Sequence, residues 1–158
     1  MKKGVEMFIR AQEKEFEKAY AEIKKGKKTG HWMWYIFPQL NGLGSLPMAV
    51  AFGIEDVQHA KLYLSTPVLR ENLIKICRAL LEHADKDILD IMQFPDNLKL
   101  RSSMTLFELA DSEIKEFGQI LDTFFEGVRD NKTLFMLNLL TEDEVTKMLA
   151  ESQEHYYN

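Results

Sequence analysis

Two stretches of the chain concentrate the side chains that can bind or transform a ligand. In the first, Lys28 to Gln39, two tryptophans, a tyrosine and a phenylalanine fall within the six residues from Trp32 to Phe37, flanked by Lys28, His31 and Gln39. Such a cluster has two physical uses. It fills a core, its Trp N–H and Tyr O–H groups finding local partners. Alternatively, Trp32 or Trp34 forms a stacking wall for a planar ligand, with Lys28 and His31 beside an anionic group. The second stretch, Asp96 to Thr105, sets Lys99, Arg101, Ser102, Ser103 and Thr105 at the opening of a helix. A helix N-terminus offers an anion free N–H groups and the positive end of the macrodipole. Arg101 adds a planar fork that matches phosphate or carboxylate. In the plainer alternative, Asp96 caps the helix and pairs with Lys99 or Arg101, while Ser102 and Ser103 bond to backbone.

Glycosidic or phosphate chemistry needs a titrating group within reach, and His31 and Asp96 are the candidates. Gln12 is the one strongly polar residue on an apolar helical stripe, either a satisfied buried amide or a pocket residue. Cys77 lies on another apolar stripe and reads as an inert core thiol. Being the single cysteine, it excludes an intramolecular disulfide and any Cys-Cys zinc motif. His31, His59, His83 and His155 include no pair at i,i+3 or i,i+4, so no helical metal site is expected. There is no GxGxxG, P-loop, GxSxG or HExxH, and no cofactor is named by the sequence.

The elements that must position these groups are helices. Val5, Phe8, Ile9, Gln12, Phe16, Ala19, Tyr20 and Ile23 form the clearest stripe, stopped at Gly26. The aromatic stretch reads as a short buried helix ended near Pro38, followed by a loop, Asn41-Gly42-Leu43-Gly44-Ser45, and a short helix over Leu46 to Phe52. Val57, Ala60, Lys61 and Leu64 mark one face of the next helix. Thr66-Pro67 then opens a helix with a core stripe of Leu69, Leu73, Ile76, Cys77, Leu80 and Ala84. Asp85 or Asp87 caps a short helix, and Pro95-Asp96-Asn97 reads as a turn. Leu100, Ser103, Met104 and Phe107 share a face. Ser112 is expected to cap a helix closed by Gly127; Thr133 to Leu140 follows, and Thr141 to Glu144 matches a capping box for a last helix.

The chain of 158 residues, 46% hydrophobic and 28% charged, has enough apolar residues for a packed core. We expect an all-α fold, one domain over residues 1–158 built as an irregular array of short and medium helices, with a tail that loosens from about residue 152. A net charge of −5 argues against a DNA partner, and RNA binding through the Lys24 to Lys28 turn fits it poorly. Met1-Lys2-Lys3 is basic, but no apolar segment follows it and no run approaches a bilayer's thickness. A cytoplasmic protein without a membrane partner is expected.

Several motifs together resemble one family. They are Phe8-Ile9-Arg10-Ala11-Gln12, Gly26-Lys27-Lys28, the run from His31 to Leu40, Gly42-Leu43-Gly44, Tyr63-Leu64, Pro67-Val68-Leu69 and the run from Pro95 to Phe107. The chain is similar to the domain of unknown function 1810, some of whose members carry the label calpastatin. The inhibitor that label names is a disordered repeat protein, whereas this chain is patterned for a packed core. The resemblance implies a helical, bacterial-like protein over nearly the whole chain, with no defined activity. Gly30 stands where the family usually has Ser, and Asn97 where it has Asp. Gln12, Lys28, His31, Trp32, Trp34, Gln39, Lys99, Arg101, Ser102 and Ser103 match family positions. Their mixture of aromatic, cationic, amide and hydroxyl groups suits a phosphorylated, ring-bearing small molecule such as ADP-ribose or a dinucleotide. The alternative is a protein-interaction module, with both stretches structural. Convergence of the two stretches on one cleft favours the ligand; full burial of both favours the module.

Overall fold

In the computed structural model, which describes residues 3–152, the first apolar stripe becomes α1, Glu6–Lys25. Phe8, Gln12, Phe16, Ala19 and Ile23 face inward, and Gly26 ends the helix at φ 81°, a left-handed position that suits glycine. The aromatic stretch forms the short buried α2, Met33–Ile36. There follow α3, Pro47–Ala51; α4, Val57–Ser65; α5, Pro67–Leu81; and α6, Ile88–Ile91. The last four are α7, Asp96–Ala110; α8, Lys115–Phe125; α9, Asn131–Met136; and α10, Glu142–Ser152. The described residues form no strand; Leu40 and Ile54 meet in an isolated bridge. The fold is all-α. The tail expected to loosen lies outside the described residues from position 153.

At the centre is α7, which packs against α2, α4, α8 and α9, while α5 joins α1, α4 and α8. Leu100, Ser103, Met104 and Phe107 are buried as their shared face requires, but so are Ser102, Thr105 and Leu106. On a helix surrounded on so many sides, the available partners for polar side chains are internal. Thr105 has two: its Oγ1 donates to Arg101 O at 2.8 Å and accepts from the Asp130 N–H at 2.9 Å.

Several local expectations shift. Pro95-Asp96-Asn97 is not a separate turn: Pro95 is the N-cap of α7, and Asp96 and Asn97 are its first helical residues. A type I turn and a first helical turn share nearly the same backbone angles, so their compositions overlap. The α4 stripe is rotated by a residue: His59, Ala60, Tyr63 and Leu64 are buried and Lys61 is exposed. Tyr63 drives this, wedged between Phe8 and Phe107 at ring distances of 5.2 and 5.1 Å. Ala84 falls beyond the end of α5 and is exposed. Thr66 precedes α5, but its hydroxyl turns back to Leu62 O at 2.9 Å instead of capping forward. Ser112 caps nothing; Asp111 accepts from the Glu113 N–H and α8 starts at Lys115. Asp87 caps α6, and the capping box at α10 forms reciprocally, Thr141 N–H to Glu144 and Glu144 N–H to Thr141, both at 3.1 Å.

Candidate cationic and aromatic cleft

The two stretches meet only in part. Trp34 from α2 and Gln39 just after it line a cleft of about 490 Å³ together with Pro95 and Lys99 at the start of α7. The loop Gly42 to Leu46, Ala49 of α3 and Lys132 of α9 complete it. The size fits a small-molecule site. None of the described residues lining it is acidic, although the chain as a whole carries −5. The Lys99 ammonium sits 5.5 Å from the Trp34 ring centroid and only loosely approaches Asp96, at 3.9 Å. Lys132 makes no ion pair among the described residues.

Each wall has a distinct anchor. Met136 of α9 closes on the loop at Gly42, φ 100°, where a Cβ would stand 2.8 Å from its Cε. The N-terminus of α9 is held by Asp130, 3% exposed, whose Oδ2 accepts from Ser102 Oγ, Thr133 N–H and Thr133 Oγ1 at 3.0, 3.1 and 2.6 Å. The α3 wall buries none of its residues, and Lys3 holds its carboxyl end by donating to Ala51 O at 2.7 Å and Gly53 O at 3.1 Å.

The turn leading into α2 is organised by Glu22. One carboxylate oxygen accepts from the Thr29 N–H at 2.7 Å, the Gly30 N–H at 2.8 Å and Trp32 Nε1 at 3.0 Å. Burial pushes this carboxyl up, but the bonds from Gly30, Thr29 and Trp32 outweigh it and hold it below the usual carboxylate range. A depressed folded-state value means stability that is present above the unfolded-state value and lost as pH falls through the folded one. Glu22→Gln should therefore remove this acid-side dependence and cost about 1–2 kcal/mol at neutral pH. Urea unfolding of both proteins across the acid range would measure it; parallel pH profiles would contradict the assignment.

Beside the cleft lies a second recess of about 350 Å³, lined by Lys27, Lys28, Thr29, Gly30, His31, Gln93 and Asp96. Both acid/base candidates, His31 and Asp96, border this recess and not the cleft. His31 is exposed, and Asp96 is paired with Lys28 at 2.8 Å. The Lys28 side chain is largely buried, donating to Gly30 O and lying 4.9 Å from the Trp32 ring centroid. Trp32 itself is in the core, 1% exposed.

The remaining candidates lie deeper. Gln12 is fully engaged: Nε2 donates to Tyr35 O and Tyr63 Oη, both at 2.8 Å, and Oε1 accepts from Asn72 at 3.0 Å. Ser102 is spent on Leu98 O and Asp130. Arg101 approaches Asp130 at 3.8 Å, with its buried Nε unpartnered, and the Ser103 hydroxyl is buried without a partner. Because α7 begins at Asp96, Ser102 and Ser103 lie beyond its first turn, where the Asp96, Leu98 and Lys99 N–H groups are already bonded to Gln93 O and Pro95 O. Sequence reasoning did not single out Lys132, Asp130, Glu22 or the Gly42 to Leu46 loop as parts of the site. The available signal was the Asp130-Asn131 pair at a helix start.

The architecture is thus a helical array carrying an open cleft with lysine and tryptophan on its walls. The chain belongs to the family described as protein of unknown function (DUF1810), which matches residues 2–137. It is similar to a crystal structure of the conserved hypothetical protein Rv1873 from Mycobacterium tuberculosis, at 36% identity and a TM-score of 0.83, covering 86% of this chain and 97% of that one. No curated protein matches the chain. The family match stops at Leu137, before α10. No helix among the described residues is long and apolar enough to cross a membrane.

Proposed function

We propose that the chain binds a phosphorylated, ring-bearing small molecule of the nucleotide kind in the cleft between α2, α3, α7 and α9. The carrying observation is that Trp34 and Gln39 meet Lys99 and Lys132 around a space with no acidic lining residue among those described. Two ammonium groups facing a shared cavity attract an anion more strongly than either does alone, because low-dielectric walls focus their field. Trp34 supplies an aromatic surface and Leu43, Leu46, Ala49 and Pro95 supply apolar ones, the usual mixture for a ring attached to a charged group. His31 and Asp96 border the separate recess, so the proposed role of the cleft is binding, with no acid/base step placed there.

A thermal-shift screen of phosphorylated metabolites, nucleotides and ADP-ribose tests this directly. Binding raises stability by RT ln(1 + [L]/Kd), about 2.7 kcal/mol at a hundredfold excess over Kd. The Lys99→Ala/Lys132→Ala double variant, checked for folding by circular dichroism, should lose most of the shift. An unchanged shift in that variant, or no shift from any anion, would rule the cleft out.

A second reading is a protein-interaction surface. It is favoured by the apolar rim of α3, where Leu46 is 61% and Val50 50% exposed and Met48 is also exposed. Retention of the thermal response by a Met48→Ser/Val50→Ser variant, whose two positions do not line the cleft, would separate the rim from ligand binding.

A further inference from the structure

We propose that Gln39 reads the edge of the ligand's ring and so selects a base that presents a hydrogen-bond donor beside an acceptor. This inference deepens the anion-site reading and rests on it. The two glutamines near the aromatic stretch have opposite circumstances. The Gln12 amide is spent entirely inside the protein. The Gln39 amide lines the cleft, half-buried, and no group among the described residues bonds to it.

Its backbone, by contrast, is fixed. Gln39 O accepts from the Ile54 N–H at 2.9 Å, and the Asn41 N–H donates to Ile54 O at 2.7 Å, tying this segment to the strand-like pairing at Leu40 and Ile54. The side chain therefore leaves from a held position. Gly44 lies beside it: a Cβ there would stand 3.6 Å from Gln39 Nε2, an ordinary contact distance, and would press on Ala49 Cβ at 3.0 Å. A carboxamide offers a carbonyl acceptor and N–H donors in one plane, so it pairs in two-pronged fashion with a ring edge carrying an adjacent donor and acceptor. Nucleobases have such edges; a sugar phosphate without a base does not. Lys99 and Lys132 then take the phosphate, and Trp34 flanks the ring. A ligand that covers Gln39 without matching it leaves a polar group desolvated and unpaired, which discriminates against that ligand.

Isothermal titration with the four nucleoside 5′-monophosphates and ribose 5-phosphate tests the idea on wild type, Gln39→Ala and Lys99→Ala. We expect at least one nucleotide to bind wild type about tenfold more tightly than ribose 5-phosphate, the effect of one or two net hydrogen bonds. Gln39→Ala should lower that preference, leaving the part due to Trp34, and leave ribose 5-phosphate affinity unchanged, whereas Lys99→Ala should weaken every ligand. Equal binding of nucleotides and ribose 5-phosphate by wild type, or a uniform loss in Gln39→Ala, overturns the role of Gln39 and leaves the anion site standing. Absence of binding by every phosphate compound overturns the anion site and this inference together.

Discussion

Asp130→Ala is expected to destabilise the protein by about 3–4 kcal/mol, the cost of breaking a buried, hydrogen-bonded charge arrangement. The carboxylate caps α9 through the Thr133 N–H and hydroxyl, ties α9 to α7 through Ser102, and faces Arg101 at 3.8 Å. Removing it leaves the Thr133 hydroxyl and N–H without their acceptor, takes one of two acceptors from the Ser102 hydroxyl, and deprives the Arg101 guanidinium of its opposing charge. Asp130→Asn keeps a capping oxygen and loses the charge, so it should fall between wild type and Ala. Urea denaturation of the three proteins gives the order directly. A cost below about 1 kcal/mol for Ala would mean that α9 is held by packing alone. Ligand response should fall as well, because α9 carries Lys132 into the cleft.

Gln12→Leu should cost about 2–4 kcal/mol despite its nearly conserved volume, since it strands two buried polar groups and a half-buried one on three neighbouring segments. Tyr35 O loses a donor, the Asn72 amide loses an acceptor, and Tyr63 Oη loses its bond to the amide. Burial pushes the Tyr63 phenol well above its usual range, so the hydroxyl stays neutral and the loss should not vary from mild acid to mild base. The double variant Gln12→Leu/Tyr63→Phe should be less destabilised than the sum of the two single variants, because removing both partners leaves no orphan at that bond. Strict additivity in the thermodynamic cycle would show that the amide and phenol act independently.

What could be read in advance followed from how much periodicity each segment contains. α1 was legible because its stripe repeats over 20 residues and closes on a glycine. The four residues of α2 make little more than one turn, too few to tell inward from outward side chains. Trp32 and Trp34 therefore looked equivalent, although Trp32 precedes the helix and Trp34 lies within it: Trp32 is buried and donates to the half-buried Glu22, whereas Trp34 lines the cleft. Lys99 was marked as a cation near a helix start. Its neighbours Arg101, Ser102 and Ser103 were not separable from it by composition, yet the surrounding helices turn them toward Asp130 and the interior. Lys132 lies on a six-residue helix in an unremarkable polar segment, and only its tertiary position brings it to Lys99.

The opposite walls of the cleft differ in mechanical character. The side that bears Lys99 belongs to the most enclosed helix of the fold, whose displacement would disturb close-packed neighbours. The side formed by α3 contributes no buried side chain and is tethered at its end by the ammonium of Lys3, nearly fifty positions away in the chain. Such a cavity behaves like a jaw with one stiff and one compliant member. Were the proposed ligand to bind, any ordering of the α3 side would enter the entropy of binding. That tether lies outside the cleft, so Lys3→Ala would remove it without touching a residue that lines the cavity.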